Sequence, residues 1–232
     1  MVRQATVKTV DKFSLTGIYG GTFDPIHYGH LRIAEELLDI PGLTKILFVP
    51  SGAPRLRAEP TASRTQRAEM VKLAIQDNGN FLLDEREIKQ PGISTTVRLL
   101  REYRCESEPD DALCFILGAD AFAKIDQWFE WRELFKLCHL IVVARPGYMS
   151  AGEERNWPIE VEAEFAARCV TNADDLELQS AGLIHEARTS LLDISATRIR
   201  SLIAAGKSAR YLLPDSVCDY IKHNNLYKRN GF

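Results

Sequence analysis

Short, nearly continuous apolar runs alternate with segments whose apolar residues recur every three or four positions. "LTGIY" (15–19), "KILFV" (45–49), "FLLD" (81–84), "ALCFIL" (112–117) and "LIVVA" (140–144) read as strands. Helical spacing lies between them, over about 29–39, after Ser63, from Thr95 to Tyr103 and around Trp131–Leu137. Ser63 and Gln66 have the spacing of a capping box, ahead of a helix with Ala68, Val71, Ala74 and Ile75 on one face. Strands without alternation are buried on both faces, so five strand–helix units in series predict a doubly wound, parallel α/β sheet with right-handed crossovers. Ligands of such sheets sit beyond the C-terminal ends of the strands.

After "ARPGY" (144–148) the alternation stops, and 149–180 reads as a polar linker with one irregular helix. "GLIHE" (182–186) is a weak strand, and 193–206 and 214–227 form a C-terminal helical segment. About 14 residues precede the first strand as an N-terminal extension. With 232 residues, 45% of them apolar, the chain can bury one large core, so a single domain over 1–232 is expected.

A net charge of −3 lacks the basic excess that neutralises a nucleic-acid backbone, so no nucleic-acid polymer is expected as a partner. Five scattered cysteines without a C-x-x-C pair suggest neither a disulfide framework nor a zinc cage and suit a reducing cytoplasm. No apolar run approaches the roughly 20 residues of a membrane span, so no membrane partner is expected. A homo-oligomer is compatible with the sequence.

The chemistry concentrates in "GIYGGTFDPIHYGH" (17–30). Gly20 and Gly21 at a strand end let backbone N–H groups approach an anion, and the following helix adds its N-terminal dipole. Neither the dinucleotide fingerprint nor the P-loop pattern is present. His27 and His30 lie one helical turn apart and can face one ligand, where two imidazoles could stabilise growing phosphate charge. A Gly-Gly pair is also an ordinary turn, and either histidine could be a packing residue. A zinc site would need a third ligand that does not stand nearby.

A second cluster is "ISATRIR" (194–200). Ser195 is a good N-cap, and Ile199, Leu202 and Ile203 recur at helical spacing. Arg198 and Arg200 therefore fall near the first turn, where a cation opposes the dipole by about 0.3–1 kcal/mol each. A polyphosphate held by backbone N–H groups, the Ser195 and Thr197 hydroxyls and a guanidinium would offset that. Solvated arginines, or arginines paired with nearby acids, are the alternative.

Together the two clusters resemble the H-x-G-H and I-S-x-T-x-x-R motifs of the nucleotidylyltransferase superfamily. "FVPSGAP", "FILGADAFAKIDQWFEW" and "VVARPGY" make the chain most similar to its bacterial nicotinate-nucleotide adenylyltransferases, from about Gly17 to Tyr227. The resemblance implies a Rossmann-like fold and adenylyl transfer from ATP to nicotinate mononucleotide, giving deamido-NAD and pyrophosphate. It implies Mg²⁺ carried mainly by the ATP phosphates, with no protein side-chain ligand. It assigns catalysis to His27, His30 and Arg200, and ATP binding to Gly20, Gly21, Thr22, Phe23, Ser195, Thr197 and Arg57. It places Thr95, Gly118, Asp120, Trp128 and Arg145 at the mononucleotide, Trp128 stacking on the pyridine ring.

Two departures stand out. "PRLR" (54–57) puts Leu56 where the family usually has histidine, leaving Arg57 or Arg55 to supply charge. "GISTT" (92–96) replaces the usual Ser-Tyr-Thr and reads as a helix start lining the mononucleotide site. A transferase acting on nicotinamide mononucleotide or another phosphorylated acceptor is the nearest alternative, and a nucleotide sensor without chemistry is the next.

Overall fold

The apolar run Leu15–Tyr19 forms the middle of the central strand β1 (Ser14–Gly21) and is buried throughout. The computed structural model describes residues 12–54, 59–90, 92–108, 111–143, 157–190 and 192–228. From β1 the chain enters helix α1 (Tyr28–Leu37) and strand β2 (Leu43–Pro50), then a two-residue strand β3 (Ala53–Pro54) and helix α2 (Arg64–Ile75). Strand β4 (Phe81–Leu83), a single turn α3 (Arg86–Lys89), a second short strand β5 (Ile93–Ser94) and helix α4 (Thr96–Glu106) follow. Strand β6 (Asp111–Gly118) leads through turns α5 (Ala119–Phe122) and α6 (Leu134–Leu137) to strand β7 (His139–Val143). Helix α7 (Ile159–Arg168), strands β8 (Cys169–Val170) and β9 (Ile184–Ala187), and helices α8 (Ala196–Ala204) and α9 (Asp215–His223) complete the series.

Among the described residues the main sheet has seven strands in the order β4-β2-β1-β6-β7-β9-β8, with all neighbours parallel. Alternate residues of each strand enter two cores. Leu15, Tyr19, Phe48 and Ile116 face one with α1, α2 and α9, while Ile18, Phe115, Leu140 and Val142 face the other with α4, α6 and α7. The chain winds outward from β1 through β2 to β4, then returns to start β6 on the other side of β1. That reversal opens a crevice at the C-terminal ends of β1 and β6, the position where such sheets bind ligands.

The capping box at α2 is present: Ser63 Oγ accepts from Gln66 N–H at 3.2 Å, and the Gln66 side chain accepts from Ser63 N–H at 2.9 Å. Three features differ from expectation. Within 149–180, residues 157–180 form regular helix α7, edge strand β8 and a 3₁₀ segment at Ala173–Leu178, in place of a linker with an irregular helix. Val161 and Phe165 carry that packing, four residues apart on one face. Phe165 joins Trp157 and Phe122 in a cluster of edge-on rings 5.1–5.9 Å apart. Few apolar residues suffice there because they are large. The helix expected around Trp131–Leu137 is split into a 3₁₀ turn (Trp131–Glu133) and α6. Strands β3 and β5 pair as a separate two-stranded sheet, too short for any period to reveal.

His139 opens β7 with no exposed surface. Its Nε2–H donates to the Gln179 carbonyl at 2.8 Å, and its Nδ1 accepts from Leu183 N–H at 3.1 Å. A second proton would have to face that N–H donor. Burial, helped by the nearby Arg104 charge, pushes the imidazole down to about 4 from an ordinary value of 6.5. The folded state therefore takes up the proton later than the unfolded state does. The stability contributed by neutral His139 is complete above pH 6.5 and is lost as pH falls through 4, a change of about 3 kcal/mol. His139→Asn keeps an acceptor for Leu183 but does not titrate, so its stability should fall less steeply than wild type over this window. Urea unfolding at a series of pH values measures both slopes, and equal slopes would contradict the assignment.

Candidate active site

The crevice is built on the loop between β1 and α1. His27 is the N-cap of α1, in extended conformation, and His30 lies one turn inside the helix. Their rings stack at 3.7 Å between centroids and 23° between planes. Phe23 and Tyr19 hold the His30 ring edge-on, at 5.1 Å and 6.2 Å. A Cβ at Gly29 would stand 3.0–3.1 Å from the His27 ring, so the glycine lets that ring fold back over the helix start. A Cβ at Gly21 would reach within 2.7 Å of the buried Phe23 ring, so this glycine also gives way to an aromatic. The stacked pair brings imidazole N–H donors and the N-terminal end of α1 to the same mouth of the crevice.

Buried polar contacts hold the loop from three directions. Arg67 of α2, 1% exposed, donates to the carbonyls of Thr22 (2.7 Å), Ser51 (2.6 Å) and Gly52 (3.2 Å). Burial lowers its basicity, and the nearby Asp24 charge opposes that loss. The Asp24 carboxylate, also buried, accepts from Thr61 N–H (2.8 Å), Ala62 N–H (3.1 Å) and the Tyr227 hydroxyl (2.7 Å). The Asp24 carbonyl accepts from Arg200 at 2.6 Å, and the other terminal nitrogen of Arg200 lies 3.4 Å from Thr197 Oγ1. Ser195 caps α8 by accepting from Arg198 N–H at 3.2 Å.

The Ile194 carbonyl lies only 3.5 Å from the Cβ position of Gly29, so the two motifs meet although about 170 residues separate them. Of the two arginines, Arg200 turns into the crevice. Arg198 turns out to Asp193, at 3.8 Å from its carboxylate.

The opposite wall is formed by β6 and the small β3–β5 sheet. Gly118 ends β6 as the N-cap of α5, which carries half-buried Asp120. Trp128 closes the next 3₁₀ turn, half-buried, with its ring edge-on to Phe115 at 6.1 Å. Thr95 is the N-cap of α4, with its hydroxyl making no capping bond. Beside it, Ser94 Oγ accepts from Gly52 N–H at 3.2 Å. Burial pushes the Glu87 carboxyl up to about 6, against the lowering effect of its bonds to Ser94 and Gly52.

The sequence matches the cytidylyltransferase-like family over residues 18–202, and the chain belongs to that class of Rossmann-like nucleotide enzymes. Three curated relatives named "Probable nicotinate-nucleotide adenylyltransferase" narrow this. The relative from Marinobacter nauticus is 45% identical, over 90% of this chain and 95% of its own length. Those from Dechloromonas aromatica and Escherichia coli are 43% and 40% identical, over 92% and 93% of this chain and 98% and 99% of their own lengths. The chain therefore belongs to the nicotinate-nucleotide adenylyltransferases. Two solved structures of the Plasmodium falciparum nicotinic acid mononucleotide adenylyltransferase, with NaAD and with APC, share its fold at TM-scores of 0.69 and 0.66. They are 19% and 20% identical, and each covers 92% of this chain and 97% of its own.

The structure brings Gly20, Gly21, Thr22, Phe23, His27, His30, Ser195, Thr197 and Arg200 to one side of the crevice, and Thr95, Gly118, Asp120 and Trp128 to elements on the other. Arg57 and Arg145, with Arg55 and Leu56, lie outside the described residues. Sequence reasoning missed Asp24, Arg67, Glu87 and Tyr227. Arg67 left one signal: a charged residue on the buried face of α2, three and four positions before Met70 and Val71.

Gly29 lies in the first turn of α1, where alanine's gain in helix propensity is offset by tight contact with the buried His27 ring, so Gly29→Ala should leave the melting temperature near wild type. Its methyl group would displace the His27 ring, and turnover should fall about tenfold to a hundredfold. Thermal melts and steady-state rates test this, and unaltered turnover would show that the ring position is immaterial.

Proposed function

We propose that the chain transfers the adenylyl group of ATP to nicotinate mononucleotide by direct in-line attack, as one nucleotidylyltransferase unit. The observation that carries this reading is the meeting of the stacked His27–His30 pair with Arg200 across the loop that contains Asp24. The family and the relatives' names support the substrates.

In this mechanism a 5′-phosphate oxygen of the mononucleotide attacks the α-phosphorus of ATP. A new P–O bond forms as the bond to the α,β-bridging oxygen breaks, and pyrophosphate leaves with that electron pair. No group of the protein becomes covalently attached. His27 and His30 donate hydrogen bonds to phosphate oxygens whose charge rises in the transition state, beside the backbone of Gly20, Gly21, Thr22 and Phe23. Arg200 holds the departing β,γ end. Ser195 accepts a backbone N–H through its oxygen and keeps its own proton to donate, and the Thr197 hydroxyl is equally placed to donate to phosphate.

On the other wall Asp120 accepts from a ribose hydroxyl, Gly118 admits the sugar close to the backbone, and Trp128 stacks on the pyridine ring beside Thr95. Arg57 and Arg145 add positive charge from outside the described residues. Mg²⁺ suits the triphosphate better than the protein here. The loop's buried carboxylate is already engaged by Thr61, Ala62 and Tyr227. When bound with ATP, the ion supplies neutralisation of phosphate charge. Buried Cys114 and Cys138, whose thiols burial pushes up, are unreactive and suit a cytoplasmic enzyme.

Pyrophosphate release from ATP and Mg²⁺ should require nicotinate mononucleotide and be slower with nicotinamide mononucleotide; no release with any phosphorylated acceptor would leave only nucleotide binding. His30→Ala should lower kcat by about a hundredfold or more while ATP affinity changes less, because its contact strengthens in the transition state. Equal losses in both would make the contact one of ground-state binding.

Trp128→Ala should raise KM for the mononucleotide and leave KM for ATP near wild type. An unfolded product would instead mark the ring as a core residue.

A further inference from the structure

The tail after α9 is shaped to deliver one hydroxyl. Asn225 takes a left-handed conformation (φ 51°), Leu226 N–H reaches back to the Ile221 carbonyl at 3.0 Å, and Asn225 N–H to Lys222 at 3.2 Å, the double bond of a Schellman ending. Tyr227 is then itself left-handed (φ 63°), a costly conformation for a bulky side chain. The result is a ring only 7% exposed, with its hydroxyl donating to Asp24 at 2.7 Å. Asp24 is the residue whose carbonyl receives Arg200 at 2.6 Å.

The chain of contacts has a direction. Tyr227 and Ala62 share Asp24 Oδ1, while Thr61 takes Oδ2, so the carboxylate has little freedom to rotate. Its backbone carbonyl is held with it and fixes one terminal nitrogen of Arg200, leaving the Thr197 side of the guanidinium toward the crevice. Without the Tyr227 hydroxyl, Oδ1 would keep one donor, and the carboxylate would be held only by the segment before α2 and by Arg200, whose terminal nitrogen also lies 3.8 Å from Oδ2.

We propose that Tyr227 is a positioning residue for the phosphate end of the site: through Asp24 it sets where Arg200 meets the pyrophosphate portion of ATP. This rests on the adenylyl-transfer reading above, and it adds a residue from the last described turn of the chain that touches no substrate. A structural anchor alone would affect stability and both substrates alike. A positioning residue affects the phosphate end and acts only through Arg200.

The test is a double-mutant cycle on the full chain, with ATP and inorganic pyrophosphate affinities measured by calorimetry and both KM values by steady-state kinetics. Tyr227→Phe should weaken ATP and pyrophosphate about tenfold, within the range of a lost hydrogen bond to a charged group, with KM for the mononucleotide unchanged. In an Arg200→Ala background the same change should cost less than twofold. Placing 4-aminophenylalanine at 227, which restores a donor at the same point, should recover most of the affinity, whatever the folding yield of Tyr227→Phe. Equal losses with and without Arg200, equal losses at both substrates, or no rescue would overturn the positioning role. A wild-type chain that turns over while Tyr227→Phe matches it would overturn this proposal alone. A wild-type chain that binds neither ATP nor pyrophosphate would overturn it together with the adenylyl-transfer reading.

Discussion

A carboxyl group is tolerated inside a protein only where its lone pairs are filled, since an unpartnered buried polar group costs several kcal/mol. Asp24 meets that condition with two backbone N–H groups and a phenol, all within 3.1 Å. Each donor comes from a different part of the structure than the loop it fixes. The residues before α2, the tail after α9 and, through the carbonyl, helix α8 are therefore tied to six residues at the end of β1. Removing any one partner leaves a desolvated oxygen short of a donor, so the network holds as a unit or loosens as a unit. The cooperativity suits an enzyme site, where displacements of about 1 Å alter rates.

Sheet topology sets where this network can act. Strand β1 lies between β2 and β6, and the crossovers from β1 to β2 and from β6 to β7 leave in opposite directions, so no crossover covers the gap between the ends of β1 and β6. Gly20 and Gly21 are paired with Val49 and Pro50 of β2, which fixes their height at the rim. Arg67 then joins the carbonyls of Thr22 and Ser51 from the two adjacent strand ends. The backbone at the ends of β1 and β2 is thus held from behind by a buried guanidinium.

The legible parts of this structure share a physical cause. Strands β1, β2, β6 and β7 announce themselves because burial on both faces forces apolar runs, and α2 because a capping box uses fixed spacing. His27, His30 and Arg200 are legible because local chemistry makes them odd: imidazoles at a helix start, and a cation against a helix dipole. Asp24, Arg67 and Tyr227 left weaker traces. An aspartate before proline reads as a turn, and a tyrosine near the end reads as packing; their partners lie between 37 and 203 positions away. The helix expected within 149–180 reads as irregular for a related reason, since a cluster of three large rings buries α7 with few other apolar residues.

Gly52 shows how the two ends of the crevice are joined. Its carbonyl accepts from Arg67, which also holds the loop after β1, and its N–H donates to Ser94 Oγ, beside Thr95 at the start of α4. No larger residue could serve here: a Cβ would fall 2.3 Å from the Glu87 carbonyl, a backbone atom that cannot swing aside. The constraint is therefore close approach between two backbones, because Gly52 is not among the residues with positive φ. Gly52 thus meets Arg67 and Ser94 through two successive peptide groups, and the absence of a side chain makes that contact sterically possible.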